Sequence, residues 1–68
     1  MEVIKILDAI KQKHEAEMTS AVLNIQVYEN AVGIGEHPDI VEAVEMQVKR
    51  YNEASEIVDA VNQLILKV

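Results

Sequence analysis

The residues that interrupt helices are confined to one short stretch of this chain, "GIGEHP", residues 33–38. Both glycines and the only proline lie there, and residues 1–32 and 39–68 contain neither residue type. Because Gly and Pro destabilise a helix interior more than any other residues, each flanking segment can form one continuous helix. The sequence therefore predicts two long helices joined by a single bend.

The first segment has the apolar spacing of an amphipathic helix. Apolar side chains recur in steps of three and four residues, which places them on one helical face. This spacing predicts a helix over residues 2–32, with a break in the heptad rhythm at His14, where two steps of four follow each other. The predicted contact face consists of Val3, Leu7, Ile10, His14, Met18, Ala21, Ile25, Tyr28 and Val32.

The bend and the start of the second helix are marked by residues with known positional preferences. Gly33 supplies the left-handed backbone conformation that commonly ends a helix. Pro38 fits the first position of a helix, and the Asp39 carboxylate is favoured at the positive end of the helix dipole. The bend is therefore placed at residues 33–37 and the second helix at residues 38–67. Its predicted contact face consists of Val41, Val44, Val48, Tyr51, Ser55, Val58, Asn62 and Ile65, flanked by Ile40, Ala54, Val61 and Val68.

Two helices of similar length joined by a short bend are expected to fold back on each other. The predicted fold class is all-α, with the whole chain forming one domain in which two antiparallel helices make a hairpin. Residues at equal distance from Gly35 should then lie side by side, which places His14 beside Ser55 and Met18 beside Tyr51.

The hairpin is also expected to associate with further copies of itself. A chain of 68 residues without cysteine buries little surface on folding and has no disulfide to stabilise it. Half of the residues are apolar, more than one helix pair can cover, so a bundle of hairpins would remove the remaining apolar surface from water. Asn24 and Asn62, on otherwise apolar faces, are interpreted as residues that specify register or subunit number. The residues predicted to form the interface are Ile4, Leu7, Leu23, Val27, Ile57, Val61, Leu64 and Ile65.

The charge of the chain argues against several classes of partner. Twelve acidic and six basic residues give a net charge of −6, which repels nucleic acid backbones and anionic lipid surfaces. Charged residues interrupt the apolar N-terminal segment, and no apolar run is long enough to span a membrane. We therefore expect a cytoplasmic protein that binds neither nucleic acid nor membrane.

Both histidines stand near carboxylates, but neither arrangement is complete. His14 and Glu17 lie about one helical turn apart, a spacing used by metal-binding bundles, yet such sites combine several motifs and the sequence has no second one. His37 and Asp39 flank Pro38, but no nucleophile lies nearby in the sequence. We expect no catalytic residue, no metal site and no cofactor, and interpret the protein as a non-enzyme.

The glycine-containing bend before the second helix is a candidate ligand site. Backbone amides and the helix dipole at such a junction favour an anion, and assembly of several chains could add cations from the second helix. The stretch matches neither the P-loop nor the dinucleotide-binding motif, so we interpret it first as a helix-capping bend and keep a ligand site there as the alternative. The candidate ligand-binding residues are Gly33, Gly35, Glu36, His37, Asp39, Lys49 and Arg50.

The segment "VGIGEHPDIVEAVEMQV", residues 32–48, preceded by "NIQVYENA", resembles small uncharacterised helical proteins encoded by tailed bacteriophages. The resemblance covers residues 24–61 and rests mainly on the glycines of the bend and the residues up to Asp39. It implies a phage accessory protein acting in the cytoplasm of a bacterial host. It carries no activity that can be transferred residue by residue.

Three functions are open on this basis. We interpret the protein as a non-enzymatic homo-oligomer that binds and blocks a host or phage protein. The alternatives are a counter-defence protein that sequesters a nucleotide second messenger at subunit interfaces, and a structural or scaffold component of the phage particle. A nucleotide-binding assembly would retain a small ligand, an inhibitor would bind one macromolecule, and a scaffold would do neither.

Overall fold

The computed structural model describes residues 2–29 and 38–68 of the chain. Helix α1 spans Glu2–Glu29 and helix α2 spans Pro38–Lys67. The described residues contain no strand, which confirms the all-α fold class. The bend predicted at residues 33–37 and the predicted helical residues 30–32 lie outside the described residues.

Both helices form where the sequence offers nothing to interrupt them. Asp39 stands in the first turn of α2 and Lys67 in its last turn, so each charge complements the adjacent end of the helix dipole. Side chains four residues apart also interact on the exposed surface of α2. The Lys49 ammonium lies 3.4 Å from the Glu45 carboxylate, a spacing that stabilises a helix modestly.

The two helices lie side by side and run in opposite directions. Glu17 of α1 contacts Arg50 of α2, whereas Asn24, further along α1, contacts Gln47, which comes earlier in α2. The Cα atoms extend over 52 × 14 × 12 Å, so the helix pair is an elongated rod. The antiparallel arrangement is the one that the sequence predicts.

The contact face of α1 follows the heptad rhythm without a break. The observed face includes Ile4 and Lys11, whereas the predicted face had their neighbours Val3 and Ile10. Val3 and Ile10 are 47% and 37% exposed. The predicted break at His14 is therefore wrong, because regular steps of three and four keep one face turned toward α2 along the whole helix. The fully or partly buried residues of this face are Ile4, Leu7, Lys11, His14, Met18, Ala21, Ile25 and Tyr28.

Half of the contact face of α2 is shifted by one residue from the prediction, whereas Val44, Val58 and Ile65 lie on it as predicted. Ala54 and Val61, expected at its edge, are only 3% and 4% exposed, whereas Val41 and Val48 are largely exposed. Small side chains such as alanine at the contact let two helices approach closely, so the residues centred on Ala54 become the core. The buried residues among those described are Ala21, Ala54, Val58 and Val61.

Of the residue pairs predicted to lie side by side across the two helices, one is found and one is not. Met18 and Tyr51 line the same surface groove, as expected. His14 shares a groove with Ala54 rather than with Ser55, because the α2 face is shifted by that one residue.

Candidate functional site

A cluster of four polar side chains bridges the two helices near the middle of the rod. The Arg50 Nε donates a hydrogen bond of 2.7 Å to Glu17 Oε2. The Asn24 Nδ2 donates one of 3.1 Å to Gln47 Oε1, and Arg50 Nη1 donates one of 3.4 Å to the same oxygen. We call these four residues the polar cluster. Two of its three bonds cross between α1 and α2 and place Glu17 near Arg50 and Asn24 near Gln47.

Helix geometry explains why these residues meet. Glu17 and Asn24 are seven residues apart, almost two turns, so they stand on one side of α1. Gln47 and Arg50 are three residues apart and are neighbours on the surface of α2. All four side chains are partly buried, which explains why each of them takes a hydrogen-bond partner within the chain.

The ion pair shifts the titration of both partners. The hydrogen bond from Arg50, followed by the charge of its guanidinium, lowers the pKa of Glu17 below its ordinary value of 4.5, against a smaller opposing effect of partial burial. The same hydrogen bond raises the pKa of Arg50. The two side chains remain 43% and 33% exposed, so water screens the attraction and its contribution to stability is modest.

Glu17→Gln is expected to lower the melting temperature at pH 7 by an amount that disappears in acid. Because the pKa of Glu17 is lowered in the folded chain, its stabilising effect is complete above pH 4.5 and is lost as the pH falls through the lower, folded-state value. Thermal unfolding followed by circular dichroism from pH 7 to pH 3 measures this.

The matched control is Glu15→Gln, on the same helix, because Glu15 is exposed and forms no ion pair within residues 2–29 and 38–68. This variant should retain the acid profile of the wild type. If Glu17→Gln also retained it, the ion pair would not contribute to stability in solution.

The candidate ligand-binding residues of the sequence do not form one site in the described part of the chain. Gly33, Gly35, Glu36 and His37 lie outside the described residues. Asp39 is exposed in the first turn of α2, and Lys49 lies ten residues, about 15 Å, further along the same helix. Lys49 is paired with Glu45, and Arg50 is paired with Glu17.

His14 and Glu17 have a spacing that metal sites use, although no metal site is expected from it, and Glu17 is held by a protein contact. His14 and Glu17 line one groove, as their spacing indicates, but the Glu17 carboxylate accepts the hydrogen bond from Arg50. In the two described segments, no group of three His, Cys, Asp or Glu side chains is placed to hold a metal ion.

The ion pair also marks one side of the rod. Residues at seven-residue intervals from Glu17 and from Arg50 stand on the same side of their helices. We call this side the paired flank. It consists of Val3, Ile10, Glu17 and Asn24 of α1 and Ala43, Arg50, Ile57 and Leu64 of α2. The large apolar side chains of the paired flank are exposed: Val3 47%, Ile10 37%, Ile57 37% and Leu64 45%.

The other side of the rod differs from the paired flank in its charge. It contains Val22 and the residues at seven-residue intervals from it on α1, together with Val48 and its counterparts on α2. We call this side the opposite flank. It consists of Asp8, Glu15, Val22 and Glu29 of α1 and Val41, Val48, Ser55 and Asn62 of α2. Three of its residues are acidic and none is basic, whereas the paired flank has one residue of each sign.

The residues predicted to form an oligomer interface fall into two groups. Ile4, Leu7 and Ile65 are partly buried, and Val61 is almost completely buried within the single chain. The other four, Leu23, Val27, Ile57 and Leu64, are exposed.

The polar cluster as a unit is the feature that the sequence did not predict. Asn24, interpreted as a register-specifying residue, does bond across the helix pair, but its partner is Gln47 of the same chain. Asn62 is exposed on the opposite flank. The sequence indicated one of its two contacts, because Asn24 and Gln47 lie at nearly equal distances from Gly35, whereas Glu17 lies further from it than Arg50 does.

Comparison of the chain with protein-family models, with curated proteins and with solved structures found no match. In the described parts of α1 and α2, no helical stretch is long and apolar enough to cross a membrane.

Proposed function

We propose that this protein is a non-enzymatic, homo-oligomeric helical binding protein. In this proposal, hairpins of the chain pack into a helical bundle, and the bundle binds and blocks a protein factor. The resemblance of residues 32–48 to phage-encoded helical proteins supports a phage accessory protein that acts in the cytoplasm of a bacterial host.

The observation that carries the proposal is that the buried core is small, whereas many large apolar side chains are exposed. Four side chains of the described residues are buried, whereas fourteen large apolar ones are exposed. Ordering each residue costs about 1–2 kcal/mol of backbone entropy, and so small a core offsets little of it. A second copy would cover part of the exposed apolar surface and add the missing burial, which is how small domains commonly reach stability.

The polar groups of the described residues favour binding over chemistry. The polar cluster consists of an ion pair and two amides that bond with one another, and it contains no nucleophile. Lys49 and Arg50 are each already paired with a carboxylate, which favours a protein partner over an anionic nucleotide.

Native mass spectrometry of the protein purified from its host tests the proposal. We expect an assembly of two or more chains of 7.6 kDa each, with the additional mass of a macromolecule when the factor is retained. The melting temperature should also rise with protein concentration, since a tenfold change alters the stability of a dimer by about 1.4 kcal/mol. A stable monomer with a concentration-independent melting temperature would contradict self-association. A bound mass of several hundred daltons would instead favour the nucleotide-binding alternative.

A further inference from the structure

We infer that the paired flank is the surface through which the hairpin binds a second copy of itself. This inference rests on the proposed self-association and adds its location. It assigns the contact to one side of the rod and leaves the opposite flank in water.

The paired flank presents a continuous apolar strip at the end of the rod where α1 begins and α2 ends. The ion pair places Glu17 and Arg50 level with each other. Moving seven residues along each helix in opposite directions places Ile10 beside Ile57, and a further seven residues place Val3 beside Leu64. The four exposed apolar residues therefore form two adjacent pairs rather than scattered positions, which is typical of an interaction surface.

Charge decides between the two flanks. In a two-fold symmetric dimer the same surface of both copies meets. Two opposite flanks would bring Asp8, Glu15 and Glu29 of each copy together without a single cation, in a chain whose net charge is already −6. Two paired flanks bring together only charges that are neutralised within each chain by the Glu17–Arg50 pair. Like-charge repulsion therefore disfavours the opposite flank and leaves the paired flank as the self-complementary surface.

The size of the flank also matches the requirement of a dimer. One side of a rod of 52 × 14 Å has an area of about 700 Å². A standard interface between two proteins buries about 800 Å² on each partner, so the contact has to use the whole flank and side chains at its margin. The margin of the flank carries further exposed apolar residues, each three positions along the helix from a member of the flank. They are Ile6, Val27 and Met46, and they extend the apolar surface toward both ends of the rod.

A pair of matched substitutions on α2 tests the assignment. Ile57→Glu and Val48→Glu each replace an exposed apolar side chain by the same acid, on the paired and the opposite flank respectively. Sedimentation velocity over a range of micromolar concentrations measures the dimer dissociation constant, which should be at least tenfold higher for Ile57→Glu than for the wild type. The dimer dissociation constant of Val48→Glu should lie within threefold of the wild-type value. Circular dichroism at the same concentrations reports whether each variant keeps its helices.

A single-cysteine experiment keeps the inference testable if Ile57→Glu does not fold. Because the chain contains no cysteine, Ile57→Cys and Val48→Cys each introduce a unique thiol. The reaction of the thiol at position 57 with a maleimide should accelerate at least tenfold on dilution through the dissociation range. The reaction at position 48 should not depend on concentration.

The outcomes separate this inference from the proposed function. A wild-type chain that is monomeric throughout would overturn both. An oligomeric wild type that is dissociated by Val48→Glu but not by Ile57→Glu would leave self-association standing and overturn the paired flank as its site. Equal dissociation by both variants would likewise overturn the assignment to one flank.

Discussion

Replacing Ala21 by Leu is expected to reduce the free energy of unfolding by about 1–3 kcal/mol. Ala21 is 0% exposed, so its methyl group is completely covered by neighbouring atoms. A leucine there would separate the helices locally or force a strained rotamer, and the loss of close contact would spread along the seam. Small domains have only a few kcal/mol of stability in total, so this change removes a large share of it.

Ala16→Leu is the matched control for this substitution, because Ala16 lies on the same helix and is exposed. Leucine and alanine have similar helix propensities, so the control should change stability by only a few tenths of a kcal/mol. Urea denaturation of both variants at one protein concentration compares the two effects. Equal stabilities would show that α2 does not cover Ala21 as closely as the structure indicates.

The existence of the two helices could be read from the sequence. Confinement of Gly and Pro to residues 33–38 leaves two uninterrupted segments, and α1 and α2 occupy them. Pro38 begins α2 as its fixed backbone angle predicts. This part of the fold depends on local chemistry, which a single sequence contains in full.

The faces on which the helices meet could not be read with the same accuracy. Adjacent residues on a helix differ by about 100° in direction, so Val3 and Ile4 are both plausible members of one face. Counting large apolar residues favoured Val3 and Ile10, whereas the packed face includes Lys11, whose aliphatic stem can lie along the seam. The choice depends on how closely the two helices approach, which is a property of the pair.

The same limit applies to the candidate site. Arg50 was predicted as a ligand-binding cation because it stands beside Lys49 in the sequence. Its partner Glu17 lies 33 residues away, and their contact follows only from the level at which the helices align. Sequence neighbours indicate local charge, but they do not show which charge a partner helix has already neutralised.

Replacing Val61 by Asp is expected to cost about 3–5 kcal/mol and to unfold the chain at pH 7. Val61 is 4% exposed in the single chain, so the new carboxylate would be buried without a partner. Lowering the pH toward 4 should restore part of the helix signal in circular dichroism, because a neutral carboxyl group is less costly to bury. Val48→Asp, the same change at a position that is 53% exposed, should remain folded throughout.

This variant also distinguishes two roles for Val61, which the sequence predicted to lie between chains. A residue that mainly contacts a second copy would give a helical monomer when replaced by Asp, because only the assembly would be lost. A residue of the core between α1 and α2 would give a monomer without helix, because two helices that no longer pack are marginally stable alone in water. Sedimentation velocity and circular dichroism on one sample separate these results. The burial of Val61 within the single chain leads us to expect loss of helix and assembly together.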